Sequence, residues 1–444
     1  PGPPTRPILG NLLEFPTTNI HFQFTEWAQQ YGGIYSLKLA YGTAIVLTDR
    51  RLIRELFDKR GAIYNSRPQS FIGKTYLTPG DSNIVFLPYS DRLRLCRKLI
   101  MHHFNEARVE QRYMGLVEAE ASQMLSDFCT EPDKVMMHPK RFSNSIIMSI
   151  VFGTRTKHAD TEHLKKHWEA VQKWSSLLEA GATPPMDLLP FLQYIPEKLW
   201  VGRWKDWKSR AEETGKTLKS CFSKLAEPVL KRRECGIVAE SFCDYLFDQC
   251  EQGLDFKQED LIVFAGAIVD GGSDTPASVL LVFIQAMLKH PHVQERAQQA
   301  IDKVIGKERS PRWEDYEQLP YISQIVKETM RWRPVVSVVP HATTTGDVID
   351  GYIIPKDTIV FINIWGLNNS PASSDNSELP MSEFDPDRYT NRHNLASYWA
   401  ASPDFSDRDH YLYGAGRRLC PGIHQAERTL FVAVVKLLWA FEFR

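Results

Sequence analysis

The run from Leu261 to Leu288 is the longest apolar helical stretch in the chain. A helix that is apolar nearly all round has to cross the centre of a molecule rather than lie on its surface, so the rest of the chain must be built around this rod. It is interrupted at Gly271-Gly272-Ser273-Asp274-Thr275-Pro276, where two side chains are missing and an acid and a hydroxyl stand in apolar surroundings. Pro276 has no N–H, so the carbonyl of Gly272 loses its helical donor, and a kink or a water-filled groove is expected there. An acid beside a threonine in such a helix is either a local hydrogen bond to the backbone or a proton-handling pair. No uninterrupted apolar run reaches the ~18 residues that a spanning helix needs, so no bilayer crossing is expected within the sequence.

A second constraint lies near the other end, in Tyr413-Gly414-Ala415-Gly416-Arg417-Arg418-Leu419-Cys420-Pro421-Gly422. Its glycines let the backbone turn tightly and approach a flat ligand, and it presents one cysteine just ahead of the apolar run Ile423 to Phe441. Free N–H groups at a helix start carry partial positive charge, which lowers the pKa of a sulfur placed there and suits it to ligate a metal. Arg418 adds a cation able to meet a carboxylate. A cysteine in this position could equally be a buried structural thiol, or a nucleophile paired with a histidine such as His424, although no triad context accompanies it. The seven cysteines, at 96, 129, 221, 235, 243, 250 and 420, show neither zinc spacing nor the dense pattern of a secreted scaffold, which favours reduced thiols.

Together these stretches resemble the heme-thiolate monooxygenases, the cytochromes P-450, whose motif Phe-Gly-x-Gly-x-Arg-x-Cys-x-Gly is matched at every fixed position except Tyr413. The resemblance implies a mainly α fold with small β-sheets and heme b between the long central helix and the cysteine loop, with Cys420 as the metal ligand. Gly271 and Gly272 would leave room for dioxygen, and Asp274 and Thr275 would be the catalytic acid and hydroxyl that supply protons. Arg97, His341 and Arg418 fall where relatives hold the heme propionates; Leu93 stands where many carry a tryptophan. His341 could also be a satisfied structural group in a strand. Glu328 and Arg331, three apart on one helix face, would lock to Arg388 as a structural network. The expected substrate pocket is Phe71, Ile84, Phe86, Phe264, Ile268, Gly271 and Val336, with Tyr76, Val335 and Val338 nearby.

Pieces of one site spread from Arg97 to Cys420 make residues 1–444 a single catalytic domain, although the length alone would allow two or three. Periodicity predicts helices over 21–31 and 49–60, strands from Ile34 to Leu39 and from Ala44 to Thr48, and mostly helix from 106 to 290. Arg67 to Pro88 breaks any period and reads as a long irregular segment; in relatives it covers the distal face of the heme. A helix from 321, strands within 335–363 and a surface loop from Asn368 to Glu378 follow. Thr183 to Tyr194, with Trp200, Trp204 and Trp207, is either a loop packed on the body or a surface that enters a membrane interface.

A net charge of −1 gives no electrostatic reason to expect nucleic acid. No Gly-x-Gly-x-x-Gly fingerprint opens a helix after a strand, so the resemblance implies a separate NADPH-cytochrome P-450 reductase that passes electrons through its FAD and FMN. The basic face Arg92, Arg94, Arg97 and Lys98 is either solvated or its docking surface. The resemblance further implies a monomer in the endoplasmic reticulum membrane, its catalytic domain facing the cytosol. Residues 1–11 would be the proline-rich hinge after an upstream anchor, and a strand hairpin is expected beyond the last residue. The expected reaction inserts one atom of dioxygen into an apolar or aromatic small molecule, with a fungal secondary metabolite preferred. Phenol coupling, desaturation or rearrangement by the same chemistry, and a non-catalytic heme-binding sensor, are the competing readings.

Overall fold

The computed structural model describes residues 1–79, 82–370 and 378–444. The chain opens with helix α1 (Ile20–Tyr31) and an antiparallel pair, β1 (Ile34–Leu39) and β2 (Gly42–Leu47), where the alternation predicts them. Helices then dominate: α2 (Asp91–Phe104), α3 (Met114–Thr130), α4 (His138–Phe152), α5 (Glu162–Leu178), α6 (Trp207–Glu234), α7 (Phe242–Glu251), α8 (Gln258–Lys289), α9 (Pro291–Val304) and α10 (Pro320–Trp332). Strands β3 (Val338–Ala342), β4 (Asp347–Ile349), β5 (Tyr352–Ile354) and β6 (Ile359–Asn363) precede the last long helix, α11 (Ile423–Ala440).

Helix α8 is the hub, packed against α4, α6, α7, α10 and α11. Phe264, Val269, Leu280, Phe283 and Met287 are fully buried along it, each large side chain stabilising the core by about 1.5–3 kcal/mol. Length and composition would let this helix cross a membrane, but its neighbours enclose it as a core rod. Gly266 permits the closest approach: a Cβ there would lie 2.3 Å from the Phe222 ring of α6. At Pro276 the helix runs on unbroken. The hydroxyl of Ser143 on α4 donates to the freed Gly272 carbonyl at 2.9 Å, so a side chain from the neighbouring helix replaces the missing N–H where a kink or water groove was expected.

The larger sheet has the order β1-β2-β6-β3, with β2 and β6 parallel and His341 opposite Val360 in the antiparallel pair β3–β6. The N-terminal hairpin thereby sits beside the strand that carries His341. Residues 1–11 run along its edge, where Lys38 N–H donates to the Asn11 side chain at 2.9 Å and Gly10 bridges to Leu39.

Two local expectations change. The segment after Arg67 is not wholly irregular: Gly73–Leu77 forms a wide helical turn closed by Thr78 N–H on the Gly73 carbonyl. Its stability is tertiary, since the Tyr76 ring meets Trp207 of α6 edge-on at 5.8 Å and Gly215 lets the two backbones touch. Between 181 and 204 the chain makes short turns that pack in part on the body, the first of the two readings. Leu188 packs on the β-sheet cluster, while Phe191, Tyr194, Leu199 and Val201 stay exposed. Most of the loop expected between Asn368 and Glu378 lies outside the described residues.

Candidate functional site

A cavity of about 370 Å³ opens between α8, α2, α4 and the loop that leads into α11. Cys420 lies in its wall, which Ala267, Ile268, Gly271 and Thr275 of α8 also line. The loop holds the cysteine by its own backbone: Cys420 N–H donates to the Tyr413 carbonyl at 2.8 Å, and Gly416 N–H donates to Asp58 at 2.9 Å. Gly416 has φ 60°, and a Cβ there would lie 2.2 Å from the Phe57 carbonyl oxygen, so no larger residue fits the turn. Burial raises the Cys420 thiol pKa, opposed by the Gly422 N–H aimed at the sulfur and by the nearby Arg97 cation.

Three arginines line the same cavity. Arg97 of α2 donates to the Leu419 carbonyl at 2.7 Å, and Arg418 donates to the carbonyls of Asn65 at 2.9 Å and of Leu87. Arg67, which the sequence reading passed over, donates to the Pro340 carbonyl beside His341. None of the three has a carboxylate within ion-pair distance among the described residues. Burial pushes Arg67 down to about 10. It pushes Arg418 to about 9, with the charges of Arg67 and Arg97 adding to the effect. His341 is buried with its Nδ1 unpartnered, and burial followed by the charges of Arg67 and Arg418 holds it neutral.

Half-buried cations without counter-ions are unfavourable on their own, and their convergence on one cavity calls for an anion. A flat apolar ligand bearing two carboxylates and a metal above the cysteine satisfies the cavity, the cations and the sulfur together. Heme b has that chemistry.

On α8 the paired glycines divide their work. Nothing lies within 4 Å of a Cβ built on Gly271, whereas one on Gly272 would meet the Ile147 side chain of α4 at 2.5 Å. Gly271 therefore keeps the cavity open and Gly272 lets α4 approach. Thr275 lines the cavity while its hydroxyl donates to the Gly271 carbonyl at 2.8 Å, the local bond expected of a helical threonine. Asp274 turns from the cavity toward α4; burial raises its carboxyl pKa and Lys140 opposes the shift.

Behind the cavity, Glu328 accepts two hydrogen bonds from Arg331, at 2.6 and 2.7 Å, and one from Asp385 N–H at 2.8 Å. Arg388 Nε lies 3.6 Å from the same carboxylate. All three charged side chains are buried.

Ile84, Ile268, Gly271, Val335 and Val336 line the cavity, but Phe71, Phe86 and Phe264 do not. Phe264 faces Phe242 and Phe256 on the far side of α8. Phe86 packs toward Trp174 of α5, and Phe71 pairs with Tyr76 while its N–H donates to Asp187 at 2.7 Å. Tyr76 and Val338 are also outside the lining. Of the basic face on α2, Arg92 stacks on Phe256 and Arg94 pairs with Asp91.

A long helix and a cysteine loop lining one cavity, with cations that have no carboxylate partner around it, is the arrangement of a heme-thiolate protein. The chain belongs to the cytochrome P450 family, whose model, described as Cytochrome P450, matches residues 1–444. It is 47% identical over 447 residues to cytochrome P450 monooxygenase yanC of Aspergillus niger, spanning all of this chain and 82% of that protein. Identity is 45% over 450 residues to cytochrome P450 monooxygenase macC of Penicillium terrestre, again with 100% and 82% covered. A zebra fish cytochrome P450 solved with abiraterone superposes with a TM-score of 0.71 at 22% identity, covering 94% of this chain and 91% of that one, and shows the fold. The protein is thus an oxygen-incorporating oxidoreductase of a family that uses heme, dioxygen and a redox partner, which removes the non-catalytic sensor.

Proposed function

We propose that the chain inserts one atom of dioxygen into a small apolar or aromatic molecule, a secondary metabolite, with electrons from NADPH through a separate FAD- and FMN-containing reductase. The reading rests on one cavity lined by a half-buried cysteine and three half-buried arginines that have no carboxylate partner among the described residues. Heme b, when bound, supplies a redox-active iron that binds and activates dioxygen. The sulfur of Cys420 would ligate that iron, which removes the thiol proton despite burial. Arg67, Arg97 and Arg418 would meet the propionates, with the Nδ1 of His341 beside them.

Thr275 offers its hydroxyl at the cavity wall, and Asp274 behind it is the acid that restores the proton. Ile84, Ile268, Val335 and Val336 exclude water and favour an apolar guest. Lys98 and its neighbours on α2 would receive an acidic reductase. Phe191, Tyr194, Leu199 and Val201 support contact with the endoplasmic reticulum membrane, the catalytic domain facing the cytosol.

The test is turnover with reductase, NADPH and isotopically labelled dioxygen, using compounds first selected because they shift the heme absorbance. One labelled oxygen in product and one in water is expected. Unlabelled product would sink insertion in favour of phenol coupling, desaturation or rearrangement. A further expectation concerns Arg67. Arg67→Leu should weaken heme retention by about 1.5–3 kcal/mol, the usual worth of a charge-assisted hydrogen bond, read as roughly ten- to a hundredfold faster transfer of heme to an apo-globin. An unchanged transfer rate would remove Arg67 from the propionate site.

A further inference from the structure

Outside the cavity, α8 carries a second acid that the reaction as described does not use. Asp270 stands four residues before Asp274, so the two carboxyls share one helix face and the charge of Asp274 bears on Asp270. Asp270 is 9% exposed, and neither of its oxygens has a hydrogen-bond partner. His167 of α5 faces it with Nδ1 3.5 Å from Oδ1, and the other ring nitrogen of His167 is also unpartnered. His163, one turn earlier on α5, is only half-buried.

The polar groups beside this pair are already satisfied. His163 bonds to Thr156 at 2.8 Å, Thr156 donates to Asn144 at 2.7 Å, and Asn144 donates to Ser273 of α8 at 2.9 Å. A structural string therefore ties α4 to α8 without any help from Asp270. An acid and an imidazole buried together with open valences are poorly explained as a clamp.

We propose that Asp270, with His167 behind it, is a positioning residue that returns protons to Asp274 from the α5 side of the molecule. Each turnover joins dioxygen, two electrons and two protons to one substrate C–H bond and releases the alcohol and water, so two protons must reach the cavity from solvent. Asp270 hands its proton to Asp274 and takes one back through His167, whose neighbour His163 reaches the surface. The titratable groups facing Asp270 are His167 from α5, Cys221 from α6 and Asp274 on α8, with Lys140 of α4 beside Asp274. Burial, then the Asp274 charge, raises the Asp270 carboxyl to about 8, which keeps it protonated at neutral pH. Burial pushes His167 down to about 4, so it is a neutral relay.

This inference rests on the monooxygenase reading and on Asp274 as the acid nearest the cavity. Its first test needs no turnover. The wild-type-minus-Asp270→Asn infrared difference should contain a protonated-carboxyl band that fades as pH rises through about 8, separate from the band of Glu427, which burial raises to about 7. The second uses the heme-loaded enzyme with reductase. Asp270→Asn should lower product formed per NADPH by about three- to tenfold and flatten its pH dependence, while Asp270→Glu restores both and the substrate-induced spectral shift stays at wild-type concentration dependence. No such band in the difference spectrum, or coupling with an unchanged pH profile, overturns the proposal. So does a loss of thermal stability alone, which would make the pair a clamp. Asp274→Asn separates the layers: if it couples fully, the proton role given to Asp274 fails whatever the infrared band shows.

Discussion

A Cys420→Ser variant is expected to fold and keep its cavity while losing monooxygenase turnover by at least about a thousandfold, or about 4 kcal/mol of transition-state stabilisation. The fold should survive because the contacts that shape the loop do not use the sulfur. Cys420 N–H bonds to the Tyr413 carbonyl, Arg97 bonds to the Leu419 carbonyl, and Gly416 sits under Phe57 through backbone alone. What changes is the donor atom. A thiolate pushes electron density toward the metal and favours O–O cleavage, whereas a serine hydroxyl holds its proton and donates weakly. The measurements are product formation and the carbon-monoxide difference spectrum of the reduced protein, whose thiolate-type band should vanish. Turnover at the wild-type rate would falsify the assignment of Cys420.

Legibility in the sequence followed how local the determining physics is. The cysteine loop was readable because its glycines, arginine and cysteine act within ten residues, and the structure closes that loop on itself through Tyr413. Helix α8 was readable because an all-apolar helix has few places to go. The pocket was less so. Phe264 lies on the same helix as Ile268, and periodicity alone could not say which face meets α7 and which meets the cavity. Phe71 and Phe86 were expected inward because aromatic residues in a long loop suggest a binding site. Trp207 and Trp174 on α6 and α5, far away in sequence, instead draw that segment's aromatic side chains away from the cavity. Arg67 had no local signal at all. A single arginine before a proline in an irregular stretch becomes informative only when Pro340 and Arg418 are seen beside it. The carbonyl freed by Pro276 could be identified from sequence, but its partner Ser143 could not, since the pairing depends on how α4 crosses α8.

A Glu328→Gln variant should destabilise the protein by about 3–5 kcal/mol, because it keeps the side-chain volume and removes the buried carboxylate that takes two charge-assisted hydrogen bonds from Arg331. Folded proteins commonly hold only about 5–15 kcal/mol in reserve, so a large loss of soluble, heme-loaded protein is expected. The effect should exceed that of a single hydrogen bond because the carboxylate organises a chain crossing. Arg331 uses its remaining donors on the carbonyls of Asn368, Met381 and Glu383, and Arg388 uses its own on Leu379 and Pro380. One acid thus orients two arginines that fasten the stretch around residues 379–388 onto α10. This anchoring also predicts which repair will fail. Replacing a buried ionic triad by apolar residues is often neutral elsewhere, but a Glu328→Leu, Arg331→Met, Arg388→Leu triple variant would remove the donors that fasten the 379–383 carbonyls and the buried Asn368 carbonyl to α10. Chemical denaturation of the three proteins should therefore rank wild type first, with the triple variant no better than Glu328→Gln. If the triple variant recovers wild-type stability, the network matters only through charge balance and not through the backbone it holds.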